Sequence, residues 1–300
     1  MKPVLDQVTS HIKVSIGMPV YNGANFIRQA IDSLLVQTHQ NFELIISDNG
    51  SIDETSKICL EYAAADPRVK FSQNEVNLGA VKNFTKVLDL AMTDYFMWAA
   101  HDDIWESNYI STLIEIMEKD TQIVLAFTMF DGIDEQNQKL VDYPDILNIP
   151  SDDLCQRLTN YICQHERLGK ANPFYGLMRK KYTQQALAAT HHLLIGNVWA
   201  SDMLFIFQVL TLGRFAVSTE KLFHKRIIQT SPSSTIAEDW DSYFNGYEYL
   251  INHSHTLNNL QKKRLIANVF YRRLMRTIST LRQTKSNVIH KIKTTIKSFV

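Results

Sequence analysis

Two adjacent carboxylates, Asp102 and Asp103, follow His101 directly after the apolar run Tyr95-Phe96-Met97-Trp98. Acids at the mouth of a buried strand repel each other and lose hydration, so they persist most readily where a divalent cation or a cationic substrate neutralises them. Ala99-Ala100-His101-Asp102-Asp103-Ile104-Trp105 is therefore a candidate metal site. Two more polar clusters trail apolar runs: Pro19-Val20-Tyr21-Asn22 after residues 13–18, and Asp48-Asn49-Gly50-Ser51 after residues 42–47. In open α/β sheets ligands bind outside the carboxyl ends of the strands. If these runs are parallel strands, clusters far apart in sequence converge on one cleft.

The chain has the pattern to supply such strands. Its first 130 residues alternate short β-rich runs with helical periodicity, as βαβ units feeding a parallel sheet do. Between the first two runs Ile27, Ala30, Ile31, Leu34 and Leu35 keep the spacing of an amphipathic helix. Ser51-Ile52-Asp53-Glu54 reads as a capping box opening a helix to about Ala65. Residues 69–71 and 95–99 read as further strands, with helices marked by Val81, Phe84, Leu88 and Ala91 and by Ile110, Leu113, Ile114 and Met117. Residues 123–130 have the character of a fully buried strand. Beyond 131 the pattern weakens: a turn or hairpin at 134–138, a helix at 154–163, a strand at 174–178 and an apolar helix at 203–212 ended by Gly213.

With 300 residues, 45% hydrophobic and 21% charged, the chain can bury a large core and is not disordered. It has no apolar stretch long enough to span a bilayer, and Met1-Lys2-Pro3-Val4-Leu5-Asp6 lacks the apolar core of a secretory signal, so a cytoplasmic location is expected. Cys59, Cys155 and Cys163 have no zinc-ligand spacing and read as reduced thiols. Formal neutrality hides an asymmetry: residues 249–300 carry 11 Lys or Arg and no Asp or Glu, leaving 20 basic against 31 acidic residues in the rest. In this tail Leu257, Leu260, Leu265, Val269, Phe270, Leu274, Ile278 and Leu281, then Val288, Ile289, Ile292, Ile296 and Phe299, keep near-helical spacing. A basic amphipathic segment over 257–300 has two readings, an anionic membrane surface or the acidic body of the protein itself. No nucleic-acid partner is expected.

Val14–Asn22, Leu44–Thr55, Asn74 with Asn77-Leu78-Gly79, and His101-Asp102-Asp103-Ile104-Trp105 together resemble family 2 glycosyltransferases of the GT-A fold. A weaker likeness continues through Asn172–Leu177 and Ser201-Asp202, covering roughly residues 12–230. The resemblance implies an α/β fold with a mostly parallel, Rossmann-like central sheet flanked by helices. It divides the chain into a transferase domain over 1–230, with a nucleotide-sugar half at about 12–130 and an acceptor half at about 131–230. A basic helical extension follows over 231–300.

The resemblance also implies an inverting transfer of a sugar from a UDP- or dTDP-type donor to a glycan or lipid-linked hydroxyl, in cell-surface polysaccharide synthesis. Pro19, Tyr21, Asn22, Asp48, Asn49, Asn77, Gly79, His101 and Asp102 would bind the donor. Asn49 stands where the family usually has a second Asp, and Ala100 where it has the first metal-motif acid. Asp102 and Asp103 would hold Mg²⁺ or Mn²⁺, hard cations suited to carboxylate and phosphate oxygens. Relatives often complete that site with a His in Arg-any-His; here the matching place lacks it, and His224 is the candidate replacement. Lys225 and Arg226 would approach the diphosphate. Asp202 matches the catalytic base, or serves as a helix N-cap as Ser201 would equally. The alternative is a non-catalytic nucleotide-sugar binding module. A dehydrogenase is excluded, since no Gly-any-Gly-any-any-Gly follows the first strand, and Gly17-Met18-Pro19-Val20 is not the phosphate loop of a nucleotidyltransferase.

Overall fold

The computed structural model describes residues 13–194, 199–228 and 237–297, with 194 and 281–297 described by backbone alone. The first half is the expected alternation. Strands β1 (Val14–Val20), β2 (Phe42–Asp48), β3 (Val69–Gln73) and β4 (Tyr95–Trp98) are linked by helices α1 (Ile27–Leu35), α2 (Thr55–Ala65) and α3 (Ala80–Leu90). Every residue of β1 and β2 is buried, as in parallel strands covered on both faces. Helix α1 buries Ile27, Ala30, Ile31 and Leu34, four of its five periodic positions. Strand β1 pairs in parallel with β2 and β4, and β2 with β3. The register sets Val20 opposite Asp48 and Gly17 opposite Trp98, so the three polar clusters leave the sheet along one edge. Helix α3 lies close on β1 because Gly17 has no side chain: a Cβ there would sit 2.7 Å from Val87 and 2.8 Å from Phe96.

The second half continues the same sheet with mixed direction. Its elements are β5 (Ile104–Trp105), α4 (Tyr109–Lys119), β6 (Ile123–Ile133), β7 (Lys139–Asp142), α5 (Leu154–Cys163), β8 (Leu177–Arg179), α6 (Lys180–Leu194), α7 (Ser201–Leu212) and β9 (Arg214–Arg226). Among the described residues the strands form one nine-stranded sheet, ordered β3-β2-β1-β4-β8-β6-β9-β5, with β7 paired to β6. Strand β8 runs antiparallel to both β4 and β6, whereas β6 and β9 are parallel. Strand β5 pairs antiparallel with β9, Ile104 opposite His224, and this brings residues 101–105 against 223–226.

Several local expectations need correction. Ser51 caps no helix, because its hydroxyl is bonded to Asp48 and α2 begins only at Thr55, whose N–H is taken by Asp53 at 3.0 Å. Residues 172–175 are a 3₁₀ turn with Pro173 in its first turn, and the strand starts at Leu177. Cys59 and Cys155 are buried and Cys163 exposed, all as free thiols.

After α8 (Trp240–His253) the tail forms one continuous helix, α9 (Asn259–Lys297), rather than two stretches. Its Leu265 and Val269 are buried. Arg272 bonds the buried Glu166 at 2.8 Å, Arg273 pairs with Glu248 and Arg276 with Glu238, so part of the basic tail is neutralised by the acidic body. The side chains expected to continue the pattern from Leu281 onward lie outside the described residues. Among the described residues no helix is long and apolar enough to cross a membrane.

Candidate active site

A cleft of about 780 Å³ opens along the carboxyl edge of the sheet. Pro19, Tyr21 and Asn22 line it from the end of β1, Asn49 from β2, and Asn77 from the loop before α3. His101 and Asp102 reach it from the end of β4, and Asp202 from the first turn of α7. The structure thus brings these eight expected residues together. Four others do not line the cleft: Asp48, Gly79, Asp103 and His224.

The part of the cleft at the ends of β1 and β2 is built from loops that hold one another. Asn22 adopts a left-handed backbone (φ 53°), which Asn tolerates better than most residues. Its Oδ1 accepts from the Ile52 N–H at 3.0 Å and its own N–H donates to the Ser51 Oγ at 2.8 Å, joining the ends of β1 and β2. Asp48 is fully buried: one carboxylate oxygen takes the N–H and hydroxyl of Ser51, the other the hydroxyl of Ser56. Asn49 donates to Oδ1 of Asn77 at 2.8 Å and accepts from the Leu78 N–H at 2.9 Å and from Asn74 at 3.0 Å. Gly79, with φ 85°, donates its N–H to the same Asn77 oxygen.

At the end of β4 the three polar residues part company. The His101 ring packs over Gly23, where a Cβ would stand 2.5 Å from its Cδ2; burial holds this imidazole below its ordinary pKa against the pull of Asp102, so it is neutral at pH 7. Asp102 faces the cleft, and its backbone carbonyl accepts from Nε of Arg226 at 2.8 Å. Asp103 turns inward, fully buried, accepting the Arg226 N–H at 2.9 Å and Nζ of Lys225 at 3.2 Å. Burial raises the Asp103 carboxyl to about 7, with the Lys225 ammonium opposing. Burial works against the charge on Lys225, yet Asp103, Tyr175 and Asp102 together raise its pKa, and it stays an ammonium.

Asp202, which lines the same cleft, is half-buried and accepts the Met203 N–H at 2.7 Å. Neither Ser201 nor Asp202 is the N-cap of α7; Ala200 holds that position in a left-handed conformation, and Asp202 lies in the first turn, where the helix dipole favours a carboxylate. Burial nevertheless raises Asp202 to about 6, against the Met203 N–H and Lys225.

The donor set expected for a cation is not assembled. Asp103 is committed to Lys225 and Arg226, and His224 is held by Asp131 at 2.7 Å and Glu106 at 2.9 Å. Successive strand residues face opposite ways, so with Lys225 in the cleft His224 points away from it. Ile228, at the third position of Arg226-Ile227-Ile228, lines the cleft with an apolar side chain. Among the described residues no three His, Cys, Asp or Glu side chains group to hold a metal ion. Asp102 is the one expected carboxylate ligand left facing the cleft. Arg226 is also absent from the lining: it is buried and bonds Asp102, Asp134, Gln29 and Asn137.

Sequence reasoning missed the apolar wall. Trp98 stacks on Phe174 at 4.4 Å, Phe205 meets Trp98 edge-on at 5.4 Å, and the Trp98 Nε1–H donates to the Phe84 carbonyl at 3.1 Å. All four side chains line the cleft. They come from β4, the 3₁₀ turn, α7 and α3, and their spacing in sequence carries no sign that they meet.

Residues 15–198 match the family described as Glycosyl transferase family 2, and the chain belongs to that family. It is 38% identical over 128 residues to an uncharacterized glycosyltransferase of Rickettsia typhi, covering 42% of this chain and 39% of that protein. To glycosyltransferase GlyG of Streptococcus pneumoniae it is 32% identical over 114 residues, 38% of each chain. These matches span about two fifths of each relative's length. Among solved structures, S. aureus TarS 1-349 in complex with UDP-GlcNAc superposes with a TM-score of 0.65 at 16% identity, over 86% of this chain and 72% of that one. That likeness shows the fold: mixed α/β, GT-A-like, with a mostly parallel sheet flanked by helices.

Proposed function

We infer that this chain transfers a sugar from a nucleoside diphosphate sugar to an acceptor hydroxyl, with inversion at the anomeric carbon. The observation that carries the reading is that Asp102 and Asp202, a hundred residues apart, line one cleft together with Tyr21, Asn22 and Asn77. Pro19, Tyr21, Asn22, Asn49 and Asn77 would hold the nucleoside, with Asp48 and Gly79 shaping the loops beneath it. His101 and Asp102 would meet the ribose and diphosphate. A UDP-type donor is supported by TarS, whose structures contain UDP-GlcNAc and UDP.

Asp202 acts as the base. The acceptor oxygen forms its bond to the anomeric carbon as the bond from that carbon to the diphosphate oxygen breaks; the hydroxyl proton passes to the Asp202 carboxylate and the bonding pair leaves with the diphosphate. A carboxyl raised to about 6 is ionised at neutral pH yet more basic than a solvated one. Trp98, Phe174 and Phe205 give the cleft an apolar wall. The expected three-residue set for Mg²⁺ or Mn²⁺ does not fit, so no step here runs through a metal.

A screen of nucleotide-sugar donors for transfer and donor hydrolysis tests the reading. Turnover lost in Asp202→Asn supports it; donor binding without turnover for any donor would identify a binding module instead. The acceptor is read as a glycan or lipid-linked hydroxyl, consistent with polysaccharide synthesis, and residues 1–230 as the catalytic unit.

The extension is read as the contact to an anionic membrane, which would place the protein on the cytoplasmic face. Opposite the buried Leu265 and Val269, α9 exposes Leu260 (77%), Phe270 (64%), Tyr271 (56%) and Leu274 (45%), with Lys263 and Arg264 beside them. The sequence carries on with Leu281, Val288, Ile289, Ile292 and Ile296 at similar spacing among further lysines and without an acid. A second copy of so uniformly basic a helix would repel it, whereas an anionic bilayer complements both its charge and its apolar face.

A further inference from the structure

Lys225 and Arg226 are neighbours at the end of β9, and the fold employs them differently. The Arg226 guanidinium is used within the protein: Nε on the Asp102 carbonyl at 2.8 Å, Nη1 on the Asp134 carbonyl at 2.6 Å, Nη2 on Gln29 at 3.1 Å and Asn137 at 2.6 Å. Lys225 instead lines the cleft, its Nζ 5.2 Å from the centroid of the Tyr175 ring and 3.2 Å from Oδ2 of Asp103. Among the described residues that line the cleft it is the only lysine or arginine. Lys225 lines the same cleft as Asp102, which the reading above sets at the diphosphate, and Asp202, which it makes the base.

A departing nucleoside diphosphate gains negative charge on its terminal oxygen, and a fixed cation at that oxygen lowers the barrier. Here Asp103 and His224 are engaged elsewhere and Ile228 lines the cleft. We propose that Lys225, held in place by Asp103, binds the donor diphosphate and stabilises it as it leaves, so that the second carboxylate of the pair serves an ammonium rather than a metal ion. This deepens the glycosyltransferase reading and rests on it.

The geometry divides the labour. Asp103 is fully buried behind Lys225, so it fixes the ammonium from the protein side while the diphosphate approaches from the cleft. An ammonium has three N–H donors, and one directed at Asp103 leaves the others for phosphate oxygens. The second Asp103 oxygen accepts the Arg226 N–H and pins the strand end that carries Lys225. The face of Tyr175 adds a favourable contact to the charge. Asp103 is thus a positioning residue, acting through Lys225.

Calorimetric titration with UDP, in EDTA and in Mn²⁺, of the wild type, Lys225→Met, Lys225→Arg and Asp103→Asn tests this. The wild type is expected to bind UDP in EDTA, Lys225→Met to bind roughly ten- to hundredfold more weakly there, and Lys225→Arg to recover most of the loss. Asp103→Asn is expected to weaken binding in both buffers alike. Wild-type binding seen only with Mn²⁺, unchanged binding by Lys225→Met in EDTA, or an Asp103→Asn defect abolished by saturating Mn²⁺ would each overturn the proposal. If Lys225→Met does not fold, the wild type in EDTA and Lys225→Arg decide. A wild type that binds neither UDP, dTDP nor GDP in either buffer would instead bring down the nucleotide-sugar reading beneath it.

Discussion

The side-chain amide of Asn49 donates to Oδ1 of Asn77 at 2.8 Å, and through this bond the end of β2 fixes the loop that leads into α3. The same Asn49 accepts from Leu78 and Asn74 with its carbonyl oxygen, so it needs both a donor and an acceptor. An aspartate at 49 offers only acceptors.

Asn49→Asp, which restores the residue type expected of the family, is therefore predicted to weaken the protein. The new carboxylate would face the Asn77 oxygen in a buried place, at a cost of about 1–3 kcal/mol. Urea unfolding measures it; a variant as stable as the wild type would show that the loop does not depend on this donor.

Asp202→Asn should lower kcat by roughly 10²–10⁴-fold while donor affinity stays within a few-fold, since a base acts on the acceptor proton and not on the nucleotide. The wild-type rate should fall as pH drops through about 6, because burial raises this carboxyl and its protonated form cannot accept a proton. A rate independent of pH between 5 and 8 would assign the base to another group.

The exposed face of α9 should confer salt-sensitive binding to vesicles containing anionic lipid. Phe270→Ser with Leu274→Ser removes apolar area from the described face and should reduce cosedimentation, with binding to neutral vesicles weak throughout. Should the pair of substitutions convert a dimer to a monomer and leave lipid binding intact, the face would belong to a second copy.

On the opposite face Arg272 contacts both oxygens of the buried Glu166, which Lys170 also approaches at 3.7 Å. Arg272→Ala should cost about 1–3 kcal/mol, less than full loss of a buried pair because Lys170 remains. An unchanged unfolding midpoint would mean that α9 docks without this contact.

The parallel half of the sheet was legible because its strands are long apolar runs and its helices keep a 3.6-residue period, as in the buried set of α1. Strand β5 was not, being two residues long and built by pairing with a distant partner, and β8, three residues long, was legible only with its start displaced into the 3₁₀ turn before it. The cleft lining was legible where residues follow a strand directly, as Asn22, Asn49 and Asp102 do. Sequence could not show which of two adjacent acids faces inward, since the choice rests on Lys225 and Arg226 more than a hundred residues later. Nor could it separate His224 from Lys225, which differ only in the face of one strand.

The Arg226 brace gives the turn between β6 and β7 a significance that its exposed, polar sequence conceals. Its guanidinium joins the Asp134 carbonyl and Asn137 in that turn to Gln29 on α1 and to the carbonyl of Asp102. Asn137 makes its contact from a left-handed backbone (φ 63°), a conformation that β-branched residues resist. Lengthening or trimming this hairpin would be transmitted to the loop bearing Asp102, so a surface turn that looks free to drift is under the same constraint as the cleft.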